Sequence, residues 1–503
     1  MLVLDPKWDL ETDVVIIGYG SSGAVAALTA AEAGAKVTIL EKQRRGTGPE
    51  VGNHYSTSHM SGGVYLQPTE REATIKYFRA MSRMESGYAT TTEHGWSGDD
   101  LIDAYTDEAL HNHEWLEAHG FVMEKVGEGA EHNLPGVESF VSYRFERSGV
   151  GMMRRFEELI DAEPNITVLY TTPATRLITN TSGEVLGVEA AAGETNPQTI
   201  TIRANRGVLM AMGGFEFDED MKLNYLKVYP TYFTGSEATT GDGVRMATEV
   251  GAQMWHMNCA SARIVAKFPE FPNAFSLWMT GVRPTPYILV DKYGKRFTNE
   301  KFKGHTLYYE LTVFDSHKLD FPRVPCYWIF DTKRMTSAKL AAAGGGVTGA
   351  MGRYAWSSGN VDELARGWII KGDTLEELAE KLEMPVENLV QTVQTYNGYC
   401  EEGVDPEFDR AQVDLLPLGE APYYAVRMWP GGPNTQGGAR HNAQGQILDM
   451  YDRPIPGLYG SGEFGSLFGM LYPSAGGNLS ECFAMGRVVG REIAKNRVYV
   501  GAK

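Results

Sequence analysis

The segment from Asp13 to Glu41 constrains the fold more than any other part of the chain. Asp13-Val14-Val15-Ile16-Ile17 is a short apolar run rich in β-branched residues, followed at once by Gly18-Tyr19-Gly20-Ser21-Ser22-Gly23 and an Ala-rich stretch to Ala33. Gly34 interrupts it, and Lys36-Val37-Thr38-Ile39-Leu40 ends on Glu41. The pattern predicts strand, tight turn, helix and second strand, at the spacing of a dinucleotide fingerprint. Gly18, Gly20 and Gly23 let the backbone approach a pyrophosphate at the positive end of the helix, with Ser21 and Ser22 in its first turn. Glu41, with Lys42 beside it, is placed to accept ribose hydroxyls. Glycines that serve packing alone are the competing reading, and the acidic residue closing the second strand argues against it.

A chain of 503 residues exceeds one ordinary core, so two domains, or a nucleotide-binding domain with an insertion, are expected. Hydrophobic residues at 43% and charged residues at 22% match an ordered globular protein. A net charge of -18 disfavours nucleic acid and anionic lipid as partners. No run approaches the roughly 20 apolar residues of a membrane span, and Asp5, Lys7 and Asp9 interrupt the start where a signal peptide would be apolar, so a cytoplasmic protein is expected. Cys259, Cys326, Cys400 and Cys482 lack the spacing of a zinc, haem or iron–sulfur site. No metal is therefore expected, and electron transfer would use a bound organic cofactor.

Downstream, Ile166–Tyr170, Ala174–Ile178, Gly187–Ala190 and Gly207–Gly214 read as a small antiparallel sheet returning to the main one. Asp242 is expected to cap a helix running to Val250. Tyr287–Val290 and Lys295–Glu300 look like a hairpin, residues 374–381 and 385–401 like amphipathic helices, and Ala341–Gly346 like a loop. His111 and His113 are two apart and cannot share a helix face as metal ligands. Boundaries are placed to give 1–278 and 435–503 as one domain and 279–434 as an insertion. Near the end, Leu471-Tyr472-Pro473-Ser474-Ala475-Gly476-Gly477-Asn478 sets a phenol and flexible backbone N–H groups ahead of a helix, a combination suited to gripping a carbonyl oxygen.

Taken together, the first fingerprint, the Ser-rich turn at Gly62-Gly63, Met212-Gly213-Gly214-Phe215, Gly294-Lys295-Arg296-Phe297-Thr298-Asn299-Glu300 and Ile455-Pro456-Gly457-Leu458-Tyr459-Gly460-Ser461-Gly462-Glu463 resemble the fumarate reductase/succinate dehydrogenase flavoprotein superfamily. The resemblance implies an α/β fold: a Rossmann-like FAD-binding domain of the glutathione-reductase type with an inserted α+β capping domain over the substrate. It implies FAD held by the first fingerprint, by Ser56, Thr57, Ser61, Gly62 and Gly63, by Ala174, Gly213 and Gly214, by Gly462 and Glu463 on the ribityl side, and by Gly477, Asn478 and Leu479. Members with covalent flavin use a histidine six residues ahead of the Gly-Gly turn; Ser56 stands there, so a non-covalent flavin is expected, although His59 is near.

The departures bear on substrate. Where fumarate and succinate enzymes place a carboxylate-clamping arginine, this chain has Ser474, and Asn434 stands in place of a histidine. A dicarboxylate would be poorly held. Tyr472-Pro473-Ser474-Ala475-Gly476 instead is similar to the 3-ketosteroid dehydrogenases, whose tyrosine hydroxyl and glycine N–H face a C3 ketone. That implies a hydrophobic ketone or enone substrate, polarised by Tyr472 and Gly476. The basic tyrosine of the Δ1 enzymes is replaced by Gly304, leaving His305, Tyr308 and Tyr309 as candidates for proton transfer. Arg334, offset by one residue from the proton donor of fumarate reductases, supports a second reading: reduction of an enoate other than a dicarboxylate. A non-catalytic flavoprotein is the third. One dinucleotide fingerprint gives no separate NAD(P)H site, and the electron partner is unassigned.

Overall fold

The structure, a computed structural model, describes residues 7–46, 53–84, 94–279, 284–301, 304–341 and 353–495. The expected loop at 341–346 lies, from 342 onward, outside them. The chain is α/β with several sheets and divides into two compact units, one of 1–226, 235–261 and 434–503, the other of 227–234 and 262–433.

In the first unit, Leu10–Ile17 runs parallel to Val37–Leu40 on one side and to Gln198–Met210 on the other. Ile166–Leu169 extends this sheet beside Val37–Leu40, and Pro454–Gly460 extends it beside Gln198–Met210, both in parallel. Ile166–Leu169 is therefore part of the main sheet and not of the antiparallel ribbon expected for it. That ribbon consists of Ala174–Thr179, Val185–Ala192 and the first half of Gln198–Met210. The Ser21–Glu32 helix is buried from Ser21 to Ala31, because its small residues lie against the Gly477–Ala494 helix. A Cβ at Gly490 would stand 2.8 Å from the Ala26 carbonyl oxygen, so the two helices meet almost backbone to backbone.

The second unit is built on the Tyr423–Thr435 strand, which pairs antiparallel with Cys326–Asp331, itself paired with Tyr287–Val290. The hairpin expected between Tyr287–Val290 and 295–300 is not formed: a single bridge joins Val290 to Arg296, and Tyr287–Val290 takes Cys326–Asp331 as its partner instead. Ala260–Ala266 also joins Tyr423–Thr435, so the second unit starts at 262 where the sequence placed the change at 279. Residues 227–234 belong to it as well, through the parallel pairing of Tyr232–Phe233 with Gly431–Gly432. Helices Leu375–Lys381 and Val386–Glu402 cover the sheet, with Leu378, Leu389 and Val393 against Ile288, Val290 and Ile329. Thr374 caps the first, its hydroxyl accepting from the Glu377 N–H.

Candidate functional site: a dinucleotide cavity and its surroundings

At the carboxyl end of Leu10–Ile17 the chain turns through Gly18 at φ +103°, and a Cβ there would lie 2.5 Å from the Ala211 carbonyl oxygen. Gly23 is equally constrained, its missing Cβ 2.2 Å from the Gly18 carbonyl oxygen, so helix and strand pack at backbone distance. The turn opens a cavity of about 860 Å³ over the amino end of the Ser21–Glu32 helix. No acidic residue occupies the helix's first turn to repel a phosphate.

Of the residues expected to hold a cofactor, Gly18, Gly20, Ser21, Ser22, Glu41 and Lys42 line this cavity. So do Ser56 and Thr57, and also Ala174, Gly213 and Glu463. Gly23, Ser61, Gly62, Gly63, Gly214, Gly462, Gly477, Asn478 and Leu479 are not among its lining residues. Gly63 backs onto Ser148, Leu479 is in the core, and Gly214 sits one bond layer behind Glu463. Ser58, Ser236, Thr239 and Ser461 line the cavity without having been singled out as ligands. Ser58 Oγ accepts from the Ser21 N–H at 3.0 Å, and Ser22 and Ser461 share a hydrogen bond of 2.6 Å. Asp242 does not cap its helix, where Gly241 is the N-cap; its carboxylate accepts from Lys42 Nζ at 2.8 Å beside the cavity.

Glu41 is oriented by the backbone: Oε2 accepts from the Tyr19 N–H at 3.2 Å and Oε1 from the Gln43 N–H at 2.8 Å. Behind it, His54 Nε2 meets the Tyr19 carbonyl at 2.8 Å and Nδ1 meets Glu157 at 3.2 Å. His59 Nε2 lies 3.4 Å from the same carboxylate, and its Nδ1 accepts from the Ser56 N–H. His54, His59 and Glu157 bring three donor atoms together in the manner of a metal site. Every ring nitrogen nonetheless has a partner within the protein, and the Ser56 N–H donating to His59 Nδ1 leaves the His59 proton on Nε2, towards Glu157. Burial opposes ionisation of Glu157, but hydrogen bonds from both histidines and their charge bring it down to about 2.

The Tyr472 loop precedes the Gly477–Ala494 helix, with Gly476 as its N-cap at φ +93°. The Tyr472 side chain is 6% exposed and packs edge-on against Phe468. Its hydroxyl accepts from the Asn478 N–H at 2.8 Å. Asn478 then joins Gln436, Ser466 and Glu481 in a buried network. Burial raises Glu481 to about 8.

In the second unit, Arg334 is fully buried. Nε donates to the Met279 carbonyl, Nη1 to Ser337 Oγ and the Ala338 carbonyl, and Nη2 to the Trp278 and Lys339 carbonyls. All five N–H bonds are spent within the protein, which ties down the segment around 278 and 339. Burial without an anionic partner lowers its pKa to about 10. His305 is buried with Nε2 3.1 Å from Arg263 Nη2, and Tyr308 is buried against the Tyr309 ring. Arg263 escaped the sequence reading because it lies in a strand distant from any motif; its Nε finds no acceptor among the described residues.

Residues 13–479 match the family described as FAD binding domain. A vinyl phenol reductase of Lactiplantibacillus plantarum is 26% identical, over 96% of this chain and 96% of its own. A 3-oxosteroid 1-dehydrogenase of Mycolicibacterium smegmatis is 30% identical over 66% of this chain and 60% of its own. A 3-ketosteroid Δ1-dehydrogenase from Sterolibacterium denitrificans, solved with 1,4-androstadiene-3,17-dione, superposes with a TM-score of 0.80 at 22% identity, covering 96% of this chain and 99% of that one.

Proposed function

The chain belongs to the FAD-binding domain family, and on that premise we propose that it dehydrogenates or reduces a carbon–carbon bond beside the ketone of a hydrophobic, 3-ketosteroid-like molecule. It is an FAD-dependent oxidoreductase of the fumarate reductase/3-ketosteroid dehydrogenase family. The Gly18 turn, the uncrowded helix terminus and the oriented Glu41 suit a dinucleotide, and FAD bound there supplies hydride exchange. The reading places that cavity in a Rossmann-like domain and assigns the inserted second unit to the substrate. His59 is engaged with Ser56 and Glu157, which supports a non-covalent flavin.

The observation that carries the reading is the Tyr472 hydroxyl at the amino end of the Gly477–Ala494 helix. The Asn478 N–H donates to this oxygen and fixes its position at the helix terminus. That O–H and the Gly476 N–H are the donors that would hold a ketone oxygen as charge develops on it during proton transfer at the neighbouring carbon. Neither Ser474 nor Asn434 supplies a cation for a carboxylate there.

A second reading, reduction of an unsaturated acid or phenolic enoate, is supported by the end-to-end match to the vinyl phenol reductase. Arg263 beside His305 is the cation such an acid needs, whereas Arg334 has no donor left for it. Anaerobic turnover of 4-en-3-one steroids, with reduced viologen in one direction and an artificial acceptor in the other, is compared with that of enoates. Steroid turnover that survives Arg263→Met supports the first reading; enoate turnover lost in the same variant, with no steroid turnover in either direction, establishes the second.

A further inference from the structure

Two neighbouring parallel strands deliver a carboxyl group each to one buried place. Gln198–Met210 runs on through Gly213-Gly214 to Glu216, and Pro454–Gly460 runs on through Ser461-Gly462 to Glu463; the strands are paired at Val208 and Leu458. Gly214 lies between the two side chains. Its N–H donates to Glu463 Oε1 at 3.1 Å, and a Cβ on it would stand 2.7 Å from Glu216 Oε1 and 3.0 Å from Glu463 Oε1. Glu216 is fully buried; its Oε1 accepts from the Thr435 N–H and, at 2.7 Å, from the Thr435 hydroxyl. Its Oε2 is buried and receives no N–H or O–H, while Glu463 is its hydrogen-bonding neighbour and faces the cofactor cavity. No lysine or arginine pairs with either carboxyl among the described residues.

Two carboxylates held this close, away from water and without a cation, do not both ionise. We propose that Glu216 and Glu463 share one proton, so that the pair sets one negative charge rather than two beside the cavity, and that Glu216 is thereby a positioning residue for FAD. The proposal rests on FAD as the cofactor of this cavity. Burial and the Glu216 carboxyl hold Glu463 well above the usual carboxylate range. The other titratable groups facing it are Glu481, raised to about 8, and Cys482, pushed up to about 12, both by burial. When the shared proton leaves at alkaline pH, the wall gains a second negative charge beside a ligand that carries a pyrophosphate. Affinity then falls.

The test is FAD binding to the apoprotein, followed by quenching of flavin fluorescence from neutral to alkaline pH. In the native protein the Kd is expected to rise about tenfold or more, equivalent to roughly 1.4 kcal/mol. In Glu216→Gln the amide oxygen retains the Thr435 contacts and the amide N–H holds a permanent charge on Glu463, so the alkaline rise disappears. Glu481→Gln keeps it. A flat native profile, an unchanged profile in Glu216→Gln, or a rise that vanishes only in Glu481→Gln overturns the proposal. Should Glu216→Gln fail to fold, Glu463→Gln replaces it: loss of the rise supports the shared proton and its persistence refutes it. Absence of FAD binding at every pH would instead refute the cofactor assignment.

Discussion

The Tyr472 hydroxyl accepts a hydrogen bond from the Asn478 N–H at 2.8 Å, across a turn that Gly476 closes in the left-handed region. The bond fixes the phenol oxygen at the positive end of a buried helix, where it is held before any substrate arrives. Preorganisation of this kind is what makes a hydrogen-bond donor effective towards a developing oxyanion.

Tyr472→Phe removes the oxygen and leaves the ring packing against Phe468. Ketone turnover is expected to fall by about 10²–10³-fold, with stability reduced by about 1 kcal/mol for the lost bond. The flavin-to-protein absorbance ratio should not change. A parallel loss of flavin and activity would assign the tyrosine to cofactor retention.

Arg334 presents the opposite case, a residue whose sequence position suggests acid chemistry and whose surroundings consume it. Four backbone carbonyls and one hydroxyl take its five donors. Arg334→Gln leaves several of these buried acceptors unmet, at about 1–3 kcal/mol each, so thermal denaturation should move down sharply. The pH–rate profile of the variant that remains folded should keep the native shape. A missing ionisation in that profile would restore the arginine as proton donor.

The residues legible in sequence are those whose role is set by their immediate neighbours. Strand, glycine turn, helix and Glu41 follow from spacing within one βαβ unit, and the helices at 374–381 and 385–401 follow from their local amphipathic pattern. The cavity residues that escaped notice are brought in by pairing across the chain: Ser58 reaches Ser21 from 37 positions away, and Ser461 reaches Ser22 from 439. The apolar run at Ile166–Leu169 suits a ribbon strand as well as a parallel one, and only its neighbour Val37–Leu40 decides. The Gly294–Glu300 motif was legible as a family mark, while its physical content, a buried ion network, needed Asp405 and Arg410 from more than a hundred residues on.

In that network Arg296 spans Glu300 at 2.9 Å and Asp405 at 2.8 Å, with Arg410 on the second oxygen of Glu300 at 3.1 Å and the Tyr396 ring beneath the Arg296 guanidinium. Arg296→Met strands the buried Asp405 carboxylate, leaves Glu300 to Arg410 alone and is expected to cost about 3–5 kcal/mol, read by chemical denaturation. Burial raises the Asp405 carboxyl, but the Arg296 hydrogen bonds and charge lower it further, so it lies below its ordinary value. Its contribution is therefore complete above the unfolded carboxylate value and is lost as pH falls through the depressed one. Arg296→Met should remove that acid dependence along with the stability.

The His54–Glu157–His59 group makes a prediction at the other end of the pH scale. Burial works against a charged His54, yet the Glu157 hydrogen bond, the Glu41 carboxylate and the Tyr19 carbonyl raise it above its usual value. A base raised on folding stabilises fully below its unfolded value, near 6.5, and that contribution fades as pH rises through the folded one. His59 is lowered by burial and has the reverse sign, costing stability as pH falls below its unfolded value. His54→Gln keeps a donor for the Tyr19 carbonyl while removing the charge, so the native advantage over the variant should be largest in mild acid and shrink through the alkaline side. Glu157→Gln should lower stability, most in mild acid, by leaving the His54 imidazole with Glu41 as its remaining carboxylate neighbour. Denaturation midpoints of the native protein and both variants across pH measure this, and a His54→Gln difference that does not vary with pH would show that the imidazole is neutral.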